Sequence, residues 1–183
     1  MSHCTTDCSC HDQPQTKLQP LSIELLYLDN EHCSRCAETE RNLNEAIQRT
    51  TPVLEALGRE AQLTAIHVES EESARELRLR ASPTIRIDGR DMLGADEETP
   101  CAPCSELADG AAVTCRAWSW RGEGMDEPPV GLLVEEILRA ALDAPQSSAE
   151  SPAEDAAEGP FCLPKNLARY FAARKGEGAH GCC

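Results

Sequence analysis

Residues 21–36 read Leu-Ser-Ile-Glu-Leu-Leu-Tyr-Leu-Asp-Asn-Glu-His-Cys-Ser-Arg-Cys. The first eight are short and mostly apolar, which predicts a strand buried on both faces. A helix is expected from about Cys33, with Leu43, Ile47, Leu54 and Leu57 on its apolar side and Gly58 as its stop. Pro52 inside that pattern predicts a kink or a reset. Cys33 and Cys36 therefore stand where a strand gives way to a helix. The free N–H groups and partial positive charge of a helix start stabilise a thiolate, and Arg35 adds in the same direction. The two-residue spacer lets both sulfurs bridge or share an ion.

Working outward, residues 62–68 read as a second strand, and Ser70 as the N-cap of a short helix reaching about Leu79, with Glu71 and Glu72 at its positive end. Pro83 opens a third strand over 84–88, closed by the turn pair Asp88-Gly89. Residues 90–112 form an irregular, acidic insert holding Cys101-Ala-Pro-Cys104. A fourth strand is expected over 113–120, with Trp118 and Trp120 on one face. An amphipathic helix follows Pro128-Pro129, its apolar positions Val130, Leu133, Val134, Ile137, Leu138 and Ala141 spaced by 3.6 residues. The predicted class is α/β, in the order β-α-β-α-β-(insert)-β-α over residues 20–143. Residues 1–19 read as a flexible Cys/His tail. Residues 144–160, with four acids, no bases and three prolines, read as a disordered linker. Residues 161–183 read as a short basic helix, lined by Leu163, Leu167, Tyr170 and Phe171, and a Cys-Cys tail. That helix is expected to dock on the acidic core or to meet a partner.

The 183 residues carry 17 Lys+Arg against 32 Asp+Glu, a net charge of −15 that argues against nucleic acid and against anionic lipid. No apolar run approaches the roughly 20 residues of a membrane span, and the first residues lack the basic and apolar regions of a secretory signal. A cytoplasmic location is expected. Eleven cysteines then point to metal binding or redox work rather than to a static disulfide framework.

The pair Cys33–Cys36 on a strand–helix junction, followed by Ser82-Pro83-Thr84 before a later strand, resembles the thioredoxin superfamily. More closely, the stretches 24–28, 33–36, 67–70, 82–91 and 101–104 resemble an uncharacterised bacterial branch of thioredoxin-like proteins, a domain of unknown function. The resemblance implies a three-layer β-α-β-α-β-β-α fold and a cis Pro83 facing the CxxC. It also implies Cys33 as nucleophile, Cys36 as resolving thiol, and Pro83 as the wall of a substrate groove, with protein or small-molecule disulfides as partners. No cofactor is required for that chemistry. The Trp-Cys-Gly-Pro-Cys centre of ordinary thioredoxins is absent, and Glu31-His32 stand before the first cysteine.

Other readings stand beside the redox one. Cys33 and Cys36 form a zinc half-site if Cys101 and Cys104 complete it, although 64 residues intervene where about 15–20 are usual. A strand of five or six residues separates Pro83 from the Asp88-Gly89 turn by about 17–20 Å, which places Cys101 and Cys104 far from Cys33 unless the insert folds back. A local site of Cys101, Cys104 and Cys115 with a carboxylate as fourth ligand, a local disulfide, and a second redox centre are the alternatives there. Cys182-Cys183 are similar in position to the vicinal pair at the tail of mercuric reductases. With Cys4, Cys8 and Cys10 at the other end, they suggest soft-ion ligands for mercury, arsenic or copper, against a plainer reading as exposed thiols. The functional expectation is thus thiol–disulfide exchange or soft-metal handling, with metal sequestration or a zinc-stabilised scaffold as alternatives.

Overall fold

The computed structural model describes residues 17–92, 97–143 and 161–175. β1 (Gln19–Tyr27) leads into α1 (Ser34–Ala56), β2 (Arg59–His67) and α2 (Glu71–Glu76). β1 and β2 run parallel, so the chain must cross over between them, and α1 is that crossover. β1 buries Leu21, Ile23 and Leu25 on one face, while Ser22 stays exposed on the other and Leu26 is covered. α1 meets the first face with Leu43, Ala46 and Leu54. Burying each such leucine is worth about 1.5–3 kcal/mol.

Pro52 neither ends nor resets α1. The helix runs through it to Ala56, and the hydroxyls of Thr50 and Thr51 donate back to the carbonyls of Ala46 and Ile47 in the turn before it. Gly58, with φ of +73°, then takes the left-handed conformation that stops a helix. α2 starts as expected: Ser70 accepts from the Ser73 amide while the Ser73 hydroxyl accepts from the Ser70 amide.

β3 (Thr84–Ile87) pairs antiparallel with β1 and turns through Asp88 and Gly89, both at positive φ, into β4 (Arg90–Asp91). That two-residue turn is the tight hairpin type. The central sheet is four-stranded and mixed, in the order β2-β1-β3-β4. The Ser82–Pro83 bond before β3 is cis.

The expected fourth strand over 113–120 divides. β5 (Glu98–Pro100), α3 (Ala102–Leu107) and β6 (Thr114–Arg116) come first, and β5 pairs with β6. β7 (Trp118–Trp120) then pairs with β8 (Glu123–Met125) in a separate ladder. With the break at Ala117, Trp118 is buried in the core shared by β1 and α1, and the edge position in the main sheet falls to β4. α4 (Val130–Asp143) packs beside α1 on the same face, burying Leu132, Leu133, Ile137 and Ala141. α5 (Lys165–Lys175) closes the described chain. It docks through Leu167, Tyr170 and Phe171, joined by Leu163 just before it, in a second core with Leu26, Leu28, Val68 and Leu79. The fold is α/β, with a mixed sheet and five helices among the described residues. Among the described residues no helix is long and apolar enough to cross a membrane.

Candidate metal centre

Cys33 is the N-cap of α1 and Cys101 the N-cap of α3, so each CxxC opens a helix and places its second cysteine in the first turn. The insert does fold back. β3 has only four residues, and β4 returns along it, with the Met92 amide bonded to the Ile85 carbonyl. β6 is then held at the Pro83 end: the Arg116 amide donates to the Ser82 carbonyl at 2.8 Å. The Arg116 guanidinium grips both oxygens of Asp91, at 2.8 and 2.7 Å. The separation expected from strand length is therefore cancelled by the hairpin.

As a result the sulfurs of Cys33, Cys101, Cys104 and Cys115 all lie within 4.8 Å of one another. Cys33 Sγ is 3.8 Å from Cys101 Sγ and 3.5 Å from Cys104 Sγ, and Cys104 Sγ is 3.3 Å from Cys115 Sγ. Cys33, Cys104 and Cys115 are wholly buried, and Cys101 is 2% exposed. The fourth member is thus Cys33 and not a carboxylate. Ser105 ties the insert together, its hydroxyl donating to the Cys101 carbonyl and accepting from the Val113 amide. Asn166 of α5 bonds both the amide and the carbonyl of Thr114, next to Cys115.

Cys36 stands outside the four. Its sulfur lies 3.9 Å from the Ser82 hydroxyl, and both Cys36 and Pro83 are buried. The described cysteines are all free thiols. Arg35, expected to act on the Cys33 thiolate, turns its guanidinium to the carbonyls of Thr99, Pro100 and Cys115 and to Asp126. This bracket was not foreseen from sequence, and neither was the bonding of Asn166 in the docked helix to the backbone beside Cys115. Cys4, Cys8, Cys10, Cys182 and Cys183 lie outside the described residues.

The neighbouring thiols, Cys101 first and then Cys104, hold Cys33 well below the ordinary thiol range. Cys101 is lowered to about 7 by Cys104 and Cys115. Cys104 is pushed up chiefly by its bond to Cys101, and Cys115 by its bonds to Cys101 and Cys104. Four thiolates this close cannot all ionise against one another, whereas a cation among them favours all four. The four sulfurs could share one metal ion.

A family described only as a domain of unknown function (DUF2703) matches residues 21–137, a span that holds all four of these cysteines and ends inside α4. No curated protein and no solved structure matches the chain.

Proposed function

The chain belongs to the DUF2703 family, and we propose that it is a metal-binding protein whose Cys33, Cys101, Cys104 and Cys115 hold one thiophilic ion. The spacing of the sulfurs carries this reading. Thiolates at about 2.3 Å from a tetrahedral zinc stand about 3.8 Å from each other; three of the spacings here are 3.8, 3.5 and 3.3 Å. Four buried thiolates with no position left for water make a closed site, the kind that stabilises structure. Zinc is the reference ion, and cadmium, mercury and copper(I) are its thiophilic competitors. The ion would lock the insert onto the first turn of α1. Soft-ion capture by the terminal cysteines is a further expectation of this reading.

Thiol–disulfide exchange by Cys33 and Cys36 is the second reading. It is supported by the strand order β2-β1-β3-β4, which agrees with a thioredoxin-like core, and by the placing of both cysteines at the start of α1. The complete burial of both sulfurs weighs against it, because an attacking thiolate needs access.

Anaerobic titration of the reduced full chain with cobalt(II) separates the two. Uptake of one equivalent, with the sulfur-to-cobalt charge-transfer absorption of a tetrathiolate and its loss on adding zinc, is the expected result. No uptake, together with a Cys33–Cys36 disulfide found by peptide mapping after mild oxidation, would overturn the metal reading in favour of exchange.

A further inference from the structure

We propose that Arg35, the third residue of Cys33-Ser-Arg-Cys36, is the positioning residue of the metal cage, presetting three of its four sulfurs. This rests on the metal reading above. The Arg35 side chain is 8% exposed, and its guanidinium is spent entirely on the far side of the site. One terminal nitrogen donates to the Thr99 hydroxyl at 2.8 Å, the Cys115 carbonyl at 3.4 Å and the Thr99 carbonyl at 3.5 Å. The other donates to the Pro100 carbonyl at 3.3 Å and pairs with Asp126 at 2.8 Å. The Thr99 hydroxyl in turn donates to Asp126 at 2.8 Å.

The addresses of these contacts decide the role. Pro100 immediately precedes Cys101, the Cys115 carbonyl belongs to a ligand itself, and Arg35 sits two residues after Cys33. A single rigid group therefore fixes the distance between the first turn of α1 and the two strands of which one leads into Cys101 and the other carries Cys115. Thr99 and Cys115 are also cross-strand partners in the β5–β6 ladder, so the guanidinium clamps the ladder at one rung. Such a span needs two nitrogens held in a plane. The guanidinium supplies a rigid fork of donors; a lysine ammonium is a point charge and reaches only one side.

Outer partners that orient metal ligands typically account for 10–100-fold in metal affinity. Zinc affinity is to be measured in the reduced full chain by competition with a chromophoric chelator. Arg35→Lys and Arg35→Met are each expected to bind about 10–100-fold more weakly than wild type. Their cobalt charge-transfer bands are expected to shift, and zinc is expected to pass to the chelator faster. Asp126→Asn, which leaves the carbonyl bonds in place, should cost less than about fivefold. The melting of each metal-free variant, followed by circular dichroism, separates positioning from folding. If Arg35→Met does not fold, Arg35→Lys, which keeps charge and stem, carries the comparison. Wild-type affinity and an unshifted cobalt spectrum in a folded Arg35→Lys would overturn the role while leaving the metal reading intact. A wild-type chain that takes up no zinc or cobalt would overturn the metal reading, and this role with it.

Discussion

The sulfur of Cys104 lies 3.5 Å from that of Cys33, 71 residues earlier in the chain. Nothing local holds them together; the contact depends on the hairpin, on Arg116 and on Arg35. The sequence motif Cys33–Cys36 is split by the same geometry, one thiol facing the cage and the other facing Ser82. Substituting serine for each of Cys33, Cys101, Cys104 or Cys115 is therefore expected to abolish stoichiometric zinc retention through desalting. Cys36→Ser is expected to retain one equivalent. Native mass spectrometry of the five variants checks this. Loss of the ion in Cys36→Ser alone would assign the site to the wrong thiols.

The ion takes four thiolates, so every thiol still protonated must give up its proton to bind it, and zinc affinity is expected to fall as pH falls. The sign follows from mass action: protons compete with the metal for the same sulfurs, and Cys104 and Cys115 hold theirs more firmly than ordinary thiols do. Calorimetry at neutral pH in buffers of different ionisation enthalpy should register at least two protons released per zinc. A pH-independent affinity between 6 and 8 would contradict a thiolate site.

Removing the ion should loosen one part of the molecule before another. The insert is joined to α1 by the cage and the Arg35 bracket, while α5 rests on Cys104, Cys115 and their neighbours in the second core. The face formed by β1, α1 and α4 has its own apolar contacts. Hydrogen exchange after chelation is expected to rise over residues 97–116 and 161–175 and to stay low in β1, β3 and α4. A uniform rise would mean that the ion holds the whole fold.

Much of this was readable in the residues. The apolar run over residues 21–28, the Ser70 cap and the 3.6-residue period of residues 130–141 act locally, and each element is where the pattern placed it. The first strand, however, expected to be buried on both faces, leaves Ser22 exposed. Family likeness drew attention to the Ser82-Pro83-Thr84 turn, and the bond before Pro83 is cis. The cage was not readable as a unit. Its assembly depends on β4 reversing the chain after Gly89, and two residues of strand leave almost no periodic signal. Arg35 looked like an electrostatic aid to its neighbours in sequence, since the carbonyls it holds lie more than sixty residues away. The division of 113–120 was also hidden: both halves read as strand, and they part only in their partners, β5 for the first and β8 for the second.

The bond between Arg116 and Asp91 gives a test of how the cage strand is seated. The Arg116 side chain is 1% exposed and that of Asp91 18%, so the pair sits largely out of water. Two charges taken from water gain little net stability from each other, but removing one partner is costly because the other keeps its desolvation penalty. Asp91→Asn is expected to lower stability by about 3–5 kcal/mol. Combining Asp91→Leu with Arg116→Met, which replaces the pair by apolar groups of similar size, should recover most of that loss. Urea unfolding of the zinc-loaded single and double variants measures both. The same Asp91→Asn chain should lose zinc to a chelator faster, because Arg116 adjoins Cys115 in β6. If the single variant unfolds within about 0.5 kcal/mol of wild type, the Ser82 carbonyl bond and the β5–β6 ladder are enough to seat Cys115. The ion pair then adds little to a strand already in place.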